Sequence, residues 1–144
     1  MGISISSRCG NLSGIIGYGG FYRLRRKVAE IYGGAWWKHY ERLDNAPFCD
    51  FDGEGEQFFE EFDKETERLL KEKKVSEAIV EFCLQPDEQG EINCDACKEI
   101  YKCVKDYDDN LAYGYVAHDD CFRFRDFKML LKECIDLECD LIWE

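Results

Sequence analysis

Nine cysteines, two histidines and 31 carboxylates give this 144-residue sequence the means to hold a metal or run thiol chemistry. Cys94-x2-Cys97 is followed, after a gap of 20 residues, by His118-x2-Cys121. Three thiolates and one imidazole make a tetrahedral zinc set, and the two short spacings let each half grip one side of the ion. A structural expectation opposes it. Cys97 falls in phase with Ile100, Tyr101 and Val104 on what reads as the apolar face of a helix, so its thiol belongs in a core. A C-x-x-C at a helix start is also a redox pattern, but the strand–helix–strand setting and an intervening Gly-Pro are missing.

Calcium has its own pattern. On the EF-hand loop template Asp50, Asp52 and Glu54 occupy positions 1, 3 and 5, Gly55 position 6 and Glu61 position 12. Oxygen ligands at alternate positions let a turn of chain wrap the cation, and the last Glu supplies two oxygens. Glu54 stands where Asp or Asn is usual, however, and Gln57 where an apolar β-branched residue pairs two loops. The competing expectation is an acidic loop before a helix, with carboxylates near the positive helix end. Thirty-five residues after Gly55, Gly90, Ile92 and Asn93 fit positions 6, 8 and 9 of a second loop. Gln85 and Ala96 at its ends supply no carboxylate. The stretch Pro86–Cys97 therefore reads as a turn, an apolar anchor and a helix cap more than as an ion site.

The charge distribution bounds the partners. Residues 1–48 carry seven basic and three acidic residues, so a net charge of −12 leaves −16 on the remainder. That block argues against direct nucleic-acid binding, which needs positive charge against phosphate. It suits a partner with a basic surface, and the expected partner-binding residues are Asp50, Asp52, Glu54, Glu56, Glu60, Glu61, Asp63, Glu65, Asp108 and Asp109. Simple solubility is the plainer alternative. G-x-S-x-G, P-loop and dinucleotide motifs are absent, and the two histidines lack evident partners, so no catalytic residues are expected and the chain reads as a non-enzyme. No apolar run reaches the length of a membrane span, and the opening residues do not form a secretion signal. A cytoplasmic, reduced protein follows. Met1-Gly2 with Ser6 also touches a myristoylation pattern.

The elements that must position these groups are mostly helices. Phe21, Leu24, Val28 and Ile31 give an amphipathic helix with Arg23, Arg25, Arg26 and Lys27 on its outer side, closed by Gly33-Gly34. A short helix follows from Trp36 to Leu43. Another, from about Phe58 to Lys73, turns Phe58, Phe59, Phe62, Leu69 and Leu70 to the core. Ser76 and Asn93 are N-caps of two more, and the last runs from about Asp119 to Asp136. Ile3-Ser4-Ile5 and Leu141-Ile142-Trp143 read as strands that pair, with Tyr113–Ala117 as a further short strand. Residues 10–20, with five glycines, read as an ordered loop. The expected fold is α+β, a mostly helical single domain over residues 1–144 with about five helices and a small sheet joining the first and last strands.

The Met1-Gly2-Ile3 opening, Tyr18-Gly19-Gly20-Phe21-x-x-Leu24-Arg25 entering the basic helix, and Gly90-Glu91-Ile92 ahead of Cys97 resemble a family of small uncharacterised proteins of bacteria and their phages or mobile elements. The family's His-Ser-Asp-Cys-type turn is replaced here by Pro86-Asp87-Glu88-Gln89. The resemblance implies an accessory role in such an element. Combined with the acidic block, the expected function is a non-enzymatic protein-binding module, an inhibitor of a nucleic-acid-binding defence enzyme. A structural or sensor domain holding zinc or calcium is the alternative; otherwise no cofactor is expected.

Overall fold

The computed structural model describes residues 2–47, 54–107, 112–113 and 121–144. The chain is α+β and mostly helical. Its order is β1 (Ile3–Ser7), β2 (Ser13–Ile16), α1 (Tyr18–Tyr32), α2 (Gly34–Tyr40), a 3-10 turn (Glu41–Asn45), α3 (Glu54–Lys71), α4 (Glu77–Leu84), β3 (Gly90–Ile92), α5 (Cys94–Val104), α6 (Phe124–Leu137) and β4 (Leu141–Trp143). Among the described residues there are thus six α-helices. The four strands form one antiparallel sheet in the order β2-β1-β4-β3.

The first and last strands pair as the alternation of Ile3 and Ile5 with serines requires: Ile5 lies opposite Trp143 and Ser7 opposite Leu141. Their inward residues Ile3, Ile5, Leu141 and Trp143 are all buried, as a strand with one solvated face dictates. Two strands depart from the sequence reading. Ser13–Ile16, within the expected glycine-rich loop, is an edge strand, and α1 already begins at Tyr18. Gly90–Ile92, expected as a turn, is the other edge. Neither is long enough for a period of two to be legible. Of the expected Tyr113–Ala117 strand only Tyr113 is described, its N–H donating to the Phe122 carbonyl at 2.7 Å beside an isolated bridge from Ala112 to Arg123; residues 114–120 lie outside the described residues.

Helix ends follow local chemistry. The Asn93 side chain accepts from the Ala96 N–H at 2.8 Å and Ser76 from the Ile79 N–H at 3.3 Å, each satisfying a donor that the first turn leaves free. Gly33 and Gly34 end α1 at φ of 71° and 62°, a conformation that costs other residues. α5 and α6 pack antiparallel, since Cys97 meets Cys134 at one end and Tyr107 meets Phe124 at the other.

The buried side chains form one cluster centred on aromatic rings. Trp143 lies 5.5 Å from Phe21 and 5.9 Å from Phe82, and Phe82 stacks on Phe127 at 5.2 Å. Arg25 corrects an expectation: it is buried, not on the solvated face of α1. Its guanidinium lies 4.5 Å from the centre of the Phe21 ring and donates to the Gln85 carbonyl, so quadrupole attraction and one hydrogen bond offset its desolvation. Arg26 ion-pairs with Asp44 at 2.8 Å.

The stretch from Gln85 to Asn93 is fixed by backbone contacts. The Gln85 amide donates to the Glu91 carbonyl at 2.7 Å and accepts from the Glu91 N–H at 3.1 Å, while the Trp143 indole N–H donates to the Pro86 carbonyl at 3.0 Å. Gly90 sits directly opposite Trp143. A β-carbon there would lie 2.3 Å from the indole ring, so close approach, not positive φ, is the reason for glycine. We expect Gly90→Ala to lower unfolding free energy by about 1–3 kcal/mol through overpacking, measured by urea denaturation. Unchanged stability would contradict the close approach.

Candidate functional site

The acidic residues singled out in sequence converge on α3, and its packing decides which of them face solvent together. Phe62, Thr66 and Leu69 are the buried side chains of this 18-residue helix. They repeat at spacings of 4 and 3, which keeps them on one narrow stripe. Phe59, expected in the core with Phe58, is 45% exposed, its ring edge-on to Phe58 at 5.2 Å. Residues 58 and 59 are about 100° apart around the helix, so a stripe this narrow takes one and leaves the other out.

The exposed circumference divides into two flanks. Glu56, Glu60, Asp63 and Glu67, at spacings of 4, 3 and 4, form a continuous acidic stripe, neighbours on one helix face. Phe59 borders it, one turn from both Glu56 and Asp63. On the other flank the charges cancel locally: Arg68 pairs with Glu65 at 2.5 Å and with Glu72. Arg68 holds the Glu65 carboxyl below the usual range. Lys64 reaches Glu60 at 3.6 Å, a fully exposed i,i+4 pair of small consequence. Glu60 and Asp63 thus belong to the stripe, while Glu61 and Glu65 lie on the neutralised flank. Glu67 and Phe59 were not singled out by sequence; the 4-3-4 spacing could have found Glu67. Asp50, Asp52, Asp108 and Asp109 lie outside the described residues, as does the side chain of Glu54.

α3 is seated on α2 by a buried polar contact. Thr66 donates to the Phe62 carbonyl at 2.9 Å, and its oxygen lies 2.8 Å from His39 Nε2. The Thr66 proton being committed, His39 carries its own on Nε2 and donates it. The imidazole stacks on Phe62 at 4.0 Å. Nδ1 is buried and meets no hydrogen-bond partner among the described residues. Burial, and after it the Arg42 charge, lower the His39 pKa; Glu65 opposes them. The pair superficially matches a hydroxyl nucleophile and its base, but both residues are buried and the hydroxyl proton is spoken for.

The metal-binding expectations fare differently. Glu54 and Gly55 are the first residues of α3, where the calcium template needs a bent loop. Glu54 and Glu61 are thus seven residues apart on one helix, while Asp50, Asp52 and the side chain of Glu54 lie outside the described residues. Carboxylates favour this helix start through its dipole, which is why the helix begins earlier than the expected Phe58. For zinc, Cys94 is half-buried at the first turn of α5, with its thiol 4.0 Å from the Ile135 carbonyl. Cys97 is fully buried and hydrogen-bonds Cys134. Cys121 precedes α6, while Cys134 is ten residues along that helix from its start, about 15 Å. The structure therefore does not bring Cys121 to Cys94 and Cys97; His118 lies outside the described residues. Among the described residues no three His, Cys, Asp or Glu side chains gather as a metal site.

The acidic surface continues past the end of α3. An open hollow of about 560 Å³ is lined by Leu70, Lys73, Glu77, Glu81, Asp95 and Glu99, among others. No helix is long and apolar enough to cross a membrane among the described residues. No family model matches the sequence, and no curated protein and no solved structure matches it.

The lowered His39 pKa has a definite sign. Unfolded, His39 takes a proton near 6.5; folded, only at lower pH. Stability therefore falls as pH drops through the window just below 6.5, because the unfolded chain binds the proton first. We expect His39→Gln to flatten the urea midpoint between pH 7 and about 5 relative to the parent. Equal slopes for both proteins would contradict a buried neutral imidazole.

Proposed function

We propose that this chain is a non-enzymatic protein-binding module that lays the acidic stripe of α3 against a basic surface of its partner, of the kind that binds nucleic acid. One observation carries the reading: four carboxylates, of which Glu60 alone meets a cation among the described residues, in an exposed pair with Lys64, run along a largely exposed helix beside an exposed phenylalanine. Rim carboxylates raise association rate and select a positively charged partner. An aromatic anchor supplies the apolar burial that charge alone does not. A protein groove that binds nucleic acid is lined with Lys and Arg that neutralise phosphates and is wide enough to take a helix, so occupying one would make the chain an inhibitor. The sharper form, a phage or mobile-element inhibitor of a nucleic-acid-binding defence enzyme, rests on the family resemblance of the Met1–Ile3, Tyr18–Arg25 and Gly90–Ile92 segments.

Affinity capture from a bacterial lysate tests it. Duplex DNA should displace the captured partner. Reversal of Glu56, Glu60, Asp63 and Glu67 to Lys should weaken capture roughly 100-fold or more. Reversal of Glu61, Glu65 and Glu72 on the other flank should not. Equal effects of the two sets would sink the stripe and leave only net charge. Separately, Phe59→Ala should cost roughly tenfold in affinity while shifting stability by less than about 0.5 kcal/mol, read by titration and by melting. Unaltered affinity would remove Phe59 from the interface.

A further inference from the structure

The sheet register places two free thiols opposite each other at the end of the β1–β4 ladder. Ser4 and Glu144 exchange both backbone hydrogen bonds, at 2.9 and 3.1 Å. The register Ile5–Trp143, Ser6–Ile142, Ser7–Leu141 continues past the strand ends, because the Arg8 N–H donates to the Asp140 carbonyl at 2.9 Å. One step further, Cys9 faces Cys139. Hydrogen-bonded and non-hydrogen-bonded pairs alternate along an antiparallel ladder, and Cys9–Cys139 falls in the second set with Ser7–Leu141. At such pairs the Cα atoms are about 4.5 Å apart, inside the roughly 4.4–6.8 Å that a disulfide spans. Both side chains belong to one face of the ladder, and the register and the Arg8–Asp140 hydrogen bond set them side by side. Cys139 is also held by Ser7, whose Oγ lies 3.3 Å from its Sγ.

Exposure differs between the two in a useful way. Cys9 is exposed and Cys139 is buried, so a reagent from solution meets Cys9 first and Cys139 is the thiol poised to complete the reaction. From this geometry we infer that Cys9 and Cys139 form an oxidation site, closed to a disulfide by low-molecular-weight disulfides, that locks the first strand to the last.

The chemistry is thiol–disulfide exchange. The Cys9 thiolate attacks one sulfur of a small disulfide, whose S–S bond breaks and releases one thiolate. The Cys139 thiolate then attacks the Cys9 sulfur, expelling the second small thiolate and leaving Cys9–Cys139. The two cysteine protons pass through solvent to the two released thiolates, so two cysteines are oxidised and one small disulfide is reduced. The hydrogen bond to Cys139 keeps the Cys9 thiol above its usual pKa, and exchange should quicken as pH rises. The link would close a loop around almost the whole chain, restricting the unfolded ensemble strongly. This site is independent of the partner proposed for α3.

The test uses the reduced full chain and oxidised glutathione at mildly alkaline pH, with non-reducing peptide mapping by mass spectrometry. We expect a linked Cys9–Cys139 peptide pair, a rise of several degrees in melting midpoint reversed by dithiothreitol, and neither change in Cys9→Ser. A glutathione adduct that persists on Cys9, or a link from Cys9 to any other cysteine, would overturn the pairing. A Cys9–Cys139 link with no rise in the midpoint would overturn the locking role.

Discussion

The structure depends on the indole of Trp143. Its strand is only three residues long, yet it pairs with β1 on one side and β3 on the other. Short strands are weak alone, and what holds this one is its side chain, wedged between Phe21 of α1, Phe82 of α4 and the bare backbone of Gly90. Its N–H is spent on the Pro86 carbonyl, so the ring enters the core without an unpaired donor. α1, α4, the Gln85–Glu91 turn and the two strands that flank β4 are thereby referred to a single side chain. Burying a ring of this size contributes on the order of 3 kcal/mol or more. The positively charged Arg25 beside it is tolerated because two aromatic faces and the Gln85 carbonyl replace part of its lost hydration.

α3 stands outside that arrangement. Among the described residues its buried side chains are Phe62, Thr66 and Leu69, Leu70 packs against the core, and His39 is the polar contact on α2. A helix seated by so few residues relies on its own propensity and i,i+4 pairs for the rest of its length, and its opening free energy should sit well below that of the sheet. This is the usual condition of an element that meets a partner. Of the other exposed apolar residues, Ile15, Tyr18 and Tyr22 lie on the β2 edge and the start of α1, Tyr107 just past α5, and Met129 and Leu137 on α6; Tyr22 is engaged with Asp44 at 2.7 Å.

Much of this was legible in the residues. The 3.6-residue spacing announced α1 and α5, Ser76 and Asn93 announced the starts of α4 and α5, Gly33-Gly34 announced a helix end, and Ile3-x-Ile5 found its partner in Leu141–Trp143. What escaped has physical causes. β2 and β3 are three or four residues long and contain glycine, so they carry no periodicity and exist because a neighbouring strand offers hydrogen bonds. The start of α3 looked like a loop because Gly55 is a poor helix former and the acidic spacing fits an ion-binding loop, although Glu54 and Glu56 are good helix formers that the dipole favours at that end. Arg25 sits at an apolar position of α1, which a charged residue disguises. At the site, the acidic residues were visible but their division into a stripe that stays net negative and a flank that Arg68 neutralises was not. That division follows from which phenylalanine the groove accepts, a property of α2 and α3 together.

Hydrogen exchange of the chain, free and bound to its captured partner, tests the central claim most directly, because it asks the backbone where contact falls. Binding through the acidic stripe predicts new protection concentrated in peptides covering residues 56–67, with β1, β4, α5 and α6 unchanged. Protection confined to β2 and the start of α1, with α3 exchanging as in the free chain, would contradict it.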